Sequence, residues 1–315
     1  MNELSVIIAF RNEGVEIERT ILEIKRTAGN NVDIILVNDA SEDGYDYASV
    51  ARKYQTAYIV NKERQGCALS REIGIQTVKT PYFFIIDGHM RFYDNDWHNE
   101  IIKAIKKNPR SVYCCRCKAW DYENKEETQK EPFFGAYFNL HNPKGQGIMD
   151  VSWVPYDIYP EDNIVEISCV LGACYAASLT YWNHLRGLYG LKLYSCDEAY
   201  ISIKAWMEGG GCRLLKNIVV GHLFRKKFPY KVSPNEFLYN KSFIIETILP
   251  DEIKEEMNKK LKLNLGFVDY SRLKRKLNKE EVDDYKKYYS TMFTAGFENF
   301  QKFNNRIIEK INEKK

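Results

Sequence analysis

The chain has 315 residues, 44% of them hydrophobic, with 46 basic and 43 acidic side chains and a net charge of +3. That length holds one large or two medium domains with a sizeable core, and the near-balance of charge gives no electrostatic case for a nucleic-acid partner. No run approaches the roughly 18–20 apolar residues a bilayer requires, and the start MNELSVIIAFRNE lacks the basic and cleavable apolar regions of a secretory signal. A soluble, cytoplasmic protein is expected. The eight cysteines sit mostly in apolar runs, and CCRC (114–117) lacks zinc-site spacing, so buried free thiols are expected rather than a disulfide framework.

The first strand is expected at Leu4 to Phe10, ended by Arg11, Asn12, Glu13 and Gly14, and followed by a helix with Ile17, Ile21, Leu22 and Ile24 on one face. Asp33 to Val37 reads as a second strand ending in Asn38 and Asp39. A helix over Tyr45 to Tyr54, a strand over Ala57 to Val60 and a helix after Arg64, Gln65 and Gly66 come next. Tyr82 to Ile86 is a short buried strand cut off by Asp87, Gly88 and His89. Side chains two apart at a strand end point the same way, so Asp87 and His89 offer an oxygen and a nitrogen side by side, a pairing that suits a divalent ion of the Mn2+ type. Gly88 would let the backbone approach a diphosphate. Taken alone, Asp-Gly-His also reads as an ordinary polar turn. Alternating strands and helices predict an α/β fold with a mostly parallel sheet, where ligands collect beyond the carboxyl ends of the strands.

A covering helix is expected over Asp96 to Lys107, a strand over Ser111 to Trp120 and an exposed loop over Asp121 to Glu131. The aromatic stretch Phe133 to Tyr159, with Trp153 and Tyr156, reads equally as an acceptor groove or as packing. In Ile167 to Ala177 the small residues Gly172 and Ala173 leave room beside the backbone. Asp197 and Glu198 open a helix closed by Gly209 to Gly211; they serve the helix dipole or contact a sugar or acceptor hydroxyl. After a strand at Ile218 come His222, Arg225, Lys226 and Lys227, a ligand beside an anion clamp. From Ser233 the chain reads as a helical appendage, with helices over Asn235 to Leu249, Asp251 to Leu263, Lys279 to Ser290 and Thr291 to Lys310. The basic run with Arg272, Lys274, Arg275 and Lys276 reads as a solvated face rather than a phosphate site.

Five stretches in order carry a resemblance: SVIIAFRNE, ILVNDAS, RQGCALSR, IIDGHM and VGHLFRKKFPY. Over Leu4 to Tyr230 the chain resembles the catalytic domain of the polypeptide N-acetylgalactosaminyltransferases, of the GT-A glycosyltransferase fold. The resemblance implies a catalytic domain over 1–232, beside the helical region over 233–315 read from composition, and with it a UDP-sugar donor, Mn2+ and transfer with retention to an acceptor hydroxyl. It places Asp87, His89 and His222 on the metal. Ala9 and Asp39 fall at the uracil and ribose, and Arg64, Gly66 and Arg71 around the nucleotide. Arg225 and Tyr230 fall on a loop closing over the diphosphate, Trp206 near the donor, and Gly172 and Ala173 at the donor sugar. The family's Trp-Gly-Gly-Glu-Asn is Tyr194 to Glu198 (YSCDE) here, so Asp197 replaces the sugar-contacting glutamate, and Ala173 replaces a glycine. No counterpart of the family's membrane anchor or lectin domain is found, so a secretory role is not expected. The acceptor stays open between protein, glycan and a modified nucleic-acid base, and the rival reading is a nucleotide-sugar-binding protein without catalysis.

Overall fold

The computed structural model describes residues 1–139 and 150–314; part of the aromatic stretch, 140–149, lies outside them. The first seven elements alternate as the apolar runs predict: β1 (Leu4–Phe10), α1 (Glu16–Ala28), β2 (Asp33–Asn38), α2 (Tyr47–Tyr54), β3 (Ala57–Val60), α3 (Cys67–Gln76) and β4 (Tyr82–Ile86). Next come β5 (Met90–Phe92), α4 (Trp97–Lys107), β6 (Val112–Asp121), β7 (Ala136–Phe138), β8 (Val151–Trp153), β9 (Ile164–Ile167), β10 (Cys174–Ser178), α5 (Leu179–His184), α6 (Asp197–Glu208) and β11 (Cys212–Phe224). The helices α7 (Pro234–Ile248), α8 (Asp251–Arg275), α9 (Lys279–Met292) and α10 (Phe297–Glu313) complete the chain.

Among the described residues the main sheet runs β3-β2-β1-β4-β10-β6-β11-β5, with β9 also on β11. The half from β3 to β4 is parallel, as expected. The other half is not: β10 runs antiparallel to β4 and β6, and β11 antiparallel to β5 and β9, with β11 and β6 alone parallel there. The sheet is therefore mixed, with parallel pairing along β3-β2-β1-β4 and between β6 and β11. Parallel neighbours need long crossovers, usually helical, whereas β5 follows β4 across only Asp87, Gly88 and His89 and runs the opposite way.

The core is built on β4, whose Phe83 to Ile86 are fully buried, each contributing roughly 1.5–3 kcal/mol. Trp97 of α4 covers it, with ring centroids 5.6 Å from Phe84 and 4.8 Å from Phe92. On α1 the buried stripe is Ile17, Ile21, Ile24 and Ala28. Leu22, expected on that face, is 47% exposed because one residue turns it about 100° away. The eight cysteines are free and all but Cys67 are buried.

The C-terminal helices are not a separate body. Tyr200 of α6 meets Phe243 of α7 and hydrogen-bonds Tyr289 of α9, and Asn304 of α10 pairs with both backbone groups of Phe138 at 2.8 and 2.9 Å. One hydrophobic cluster spans sheet and helices. Helix α8 continues past Leu263, where its end was expected, and ends in the basic run. No helix among the described residues is long and apolar enough to cross a membrane.

One tight approach fixes the cleft-side architecture. Gly66 sits at φ +88, paired with Leu193, and a Cβ there would overlap the Leu193 backbone. Gly66→Ala meets both the left-handed penalty and that clash, and is expected to lose more than about 3 kcal/mol of stability, read as a lowered midpoint in urea.

Candidate active site

The segment Asp87-Gly88-His89 has an unusual task. It leaves β4 in the middle of the sheet and delivers β5 to the far edge, passing the ends of β10, β6 and β11. Its start is held by the Asp87 N–H donating to Ala173 O at 3.1 Å, and its end by the Leu223 N–H donating to His89 O at 3.3 Å. On β11 the register opposes His222 to Met90. A bulge between Leu215 and Val219 lets β11 pair with β9 before it and β5 after it. His89 Nε2 and His222 Nε2 thus lie 3.1 Å apart, with Asp87 Oδ2 3.2 Å from His222 Nε2. The three ligand atoms all lie within 4.8 Å of one another.

This donor set fits a divalent cation such as Mn2+. Glu13 Oε2 lies 2.9 Å from His89 Nδ1; by accepting that proton it leaves the Nε2 lone pair facing His222. Burial lowers the pKa of His222, only partly offset by its hydrogen bond to Asp87, which favours the neutral ring a metal needs. Burial also opposes the charge on Asp87, but His222 and the Arg71 guanidinium outweigh it and hold the carboxyl well below its usual range. Gly88 also has a packing role: a Cβ there would stand 2.8 Å from Ile17 Cδ1 and 3.0 Å from Glu13 Cγ. Its bareness lets Glu13 approach.

These groups open into a cleft of about 710 Å³ that also takes in Ala9, Asp39, Arg64, Gly66, Arg71, Gly172, Ala173, Asp197, Glu198, Arg225 and Tyr230. Arg225 forms an ion pair with Glu13 and lies over the Tyr122 ring at 4.1 Å. Asp39 accepts from the N–H groups of Gln65 at 2.7 Å and Gly66 at 2.8 Å and from Asn61 at 2.9 Å, so it also anchors the entry to α3. Arg64 pairs with Glu236 at 3.0 Å over the Tyr230 ring. Buried Arg71 bridges Asp87 at 2.7 Å and Asp197, and Tyr175 donates to Asp197 at 3.1 Å. Burial, then the neighbouring Asp197, pushes the Glu198 carboxyl above its usual range, and Glu198 lies against Gly172.

Residues 5–157 match the family model described as Glycosyl transferase family 2. Over those residues the chain has the sequence pattern of a glycosyl transferase family 2 domain. Among curated proteins it is 26% identical over 274 residues to polypeptide N-acetylgalactosaminyltransferase 11 of Xenopus tropicalis, covering 80% of this chain and 43% of that protein. It is 27% identical over 239 residues to the human polypeptide N-acetylgalactosaminyltransferase 14, covering 72% and 41%. The chain spans less than half the length of these relatives. Among solved structures, GalNAc-T7 with UDP, GalNAc and Mn2+ matches with a TM-score of 0.76 at 19% identity, over 96% of this chain and 56% of that one. S. aureus TarS 1-349 in complex with UDP-GlcNAc matches at 0.54 and 15%, over 91% and 79%. The fold is the GT-A glycosyltransferase fold with added C-terminal helices.

The family 2 match includes Asp87 and His89 but ends before His222 and Arg225, which only folding brings to them. Trp206 does not join the cleft: its Nε1–H donates to Ile167 O at 3.1 Å and its ring packs 4.7 Å from Phe303 of α10. The basic run also lies elsewhere, with Lys274 paired to Glu246 and Arg272 to Asp269. Trp153 lines the cleft 5.2 Å from Phe224, whereas Tyr156 donates to Ile311 O at 2.6 Å. Sequence reasoning assigned no roles to Tyr122, Tyr175 or Asn240, which lack any local motif, and took Glu13 only as part of a polar strand end. Within this domain Glu13 supports both His89 and Arg225, so Glu13→Ala is expected to weaken Mn2+ binding about 10–100-fold with the fold intact, read by electron paramagnetic resonance titration of free Mn2+.

Proposed function

We propose that the chain transfers a sugar from a UDP-sugar to an acceptor hydroxyl, with Asp87, His89 and His222 holding a divalent cation, Mn2+ by preference. The observation that carries this reading is the meeting of those three ligand atoms within 4.8 Å, beside Arg225, at the mouth of a cleft large enough for a nucleotide sugar. The comparison structure that contains UDP, GalNAc and Mn2+ supports the same donor chemistry. A bound cation supplies Lewis-acid stabilisation of the diphosphate leaving group.

The chain's own residues account for the remaining charge. Arg225, fixed by Glu13 and Tyr122, presents a guanidinium where negative charge grows on the departing UDP. Exposed Lys226 and Lys227 line the same rim. Arg71 pairs with both Asp87 and Asp197 and offsets one of their two negative charges, which lessens the repulsion of an anionic donor by the cleft floor. Asp197, tied to Arg71 and Tyr175, is a binder that orients the sugar rather than a nucleophile. Retention is the outcome the family resemblance implies. The relatives are polypeptide transferases, which favours a protein hydroxyl as acceptor. Among the described residues the cleft lining does not include the basic run, of which Arg272 and Lys274 pair with Asp269 and Glu246.

The test is UDP release from UDP-sugars with and without Mn2+. His222→Ala is expected to lower the Mn2+-dependent rate at least about a hundredfold with an unchanged circular dichroism spectrum. Unchanged turnover in that variant would contradict the ligand assignment.

A further inference from the structure

The C-terminal helices have no function in the reading so far, yet one face of α7 contacts cleft-lining residues from four positions, and Phe237 lines the cleft itself. Glu236 holds Arg64, Phe237 packs 5.7 Å from Tyr194, Asn240 binds the 192–196 backbone and Lys241 pairs with Asp150 at 2.5 Å. These positions are i, i+1, i+4 and i+5 of a helix and so share a face.

The segment Asn240 binds is conformationally costly. Leu193, Ser195 and Cys196 have φ of +55, +88 and +68, the left-handed region where side chains are disfavoured. Ser195 and Cys196 stand where the resembled family carries Gly-Gly, so the glycine conformation is kept without the glycines. Something must hold it. Asn240, wholly buried, places its amide nitrogen 2.9 Å from Lys192 O, 3.1 Å from Tyr194 O and 2.9 Å from Ser195 O, while its Oδ1 accepts from the Lys192 N–H at 2.8 Å. Phe243, one turn on, packs against Gly190 at the foot of the same segment. The segment then leads directly into Asp197 and Glu198, and Tyr194 carries it to Phe228 at 4.9 Å on the loop that bears Arg225.

We propose that α7 is part of the active site and that Asn240 is a positioning residue, holding the left-handed 193–196 wall in the shape that receives the donor sugar. The proposal rests on the glycosyltransferase reading for the identity of the ligand, and on the clamp geometry for the role of Asn240. Aspartate is nearly isosteric but turns a carboxylate oxygen toward three carbonyls, so Asn240→Asp releases the clamp with little change of volume.

The experiment measures binding of UDP and of UDP-N-acetylgalactosamine by calorimetry in Mn2+, using the full chain. Asn240→Asp is expected to weaken the sugar nucleotide at least tenfold and UDP less than twofold. Adding Ser195→Gly and Cys196→Gly, which remove the left-handed penalty at two of the three positions, is expected to restore sugar-nucleotide binding to within threefold of the parent. Equal losses for both ligands, no loss, or no rescue would overturn the proposal. Should Asn240→Asp fail to fold, Asn240→Ser, which leaves a small cavity instead of a buried charge, is read the same way. Amide hydrogen exchange over 192–197 separates the two levels of the argument. Faster exchange there in a chain whose parent binds neither nucleotide overturns the donor reading and keeps the clamp; unchanged exchange overturns the clamp.

Discussion

Two short strands that follow one another in sequence, β4 and β5, lie on opposite sides of three other strands, and the three residues between them must cross that gap over the strand ends. Asp87-Gly88-His89 makes the crossing, so its carboxylate and imidazole are held above the sheet at the one place where β11 delivers His222. The position of the candidate cation ligands follows from sheet topology more than from any local preference of the Asp-Gly-His sequence. The buried β4 residues behind it make the platform stiff.

Around that crossing acidic, basic and imidazole groups form a continuous chain of contacts: Asp197, Arg71, Asp87, the two histidines, Glu13 and Arg225. Buried ion pairs cost much of what they return, and breaking one partner leaves an uncompensated charge. Their value here is to set the charge of each ligand. Arg71 and His222 keep Asp87 ionised, Glu13 fixes the orientation of His89, and Arg225 is left facing the cleft with its guanidinium already desolvated on one side. The same chain ties the cleft floor to α6 through Asp197.

How much of this the sequence disclosed differs by region. The alternating half was readable because short apolar runs ended at polar residues and were separated by helical periods. The antiparallel half was not, since β5 has three residues and β9 four, too short for any period to show. Asp87, His89, His222 and Arg225 stood out as polar residues at strand ends. Trp206 was misplaced because a tryptophan on a buried helix looks alike whether it faces a ligand or, as here, α10. Asn240 could not be seen: its significance lies in carbonyls nearly fifty residues earlier and in backbone angles that Ser195 and Cys196 do not advertise. The helical region looked separate by composition, yet its contacts with Tyr200, Phe138 and Arg64 make it one body with the sheet.

Anomalous diffraction at the manganese edge, from crystals grown with Mn2+ and UDP, tests the central claim most directly. The account predicts one strong peak bonded to Asp87 Oδ2, His89 Nε2 and His222 Nε2 and to the UDP diphosphate. A peak elsewhere in the cleft, or a nucleotide bound with no manganese between these three side chains, would contradict it.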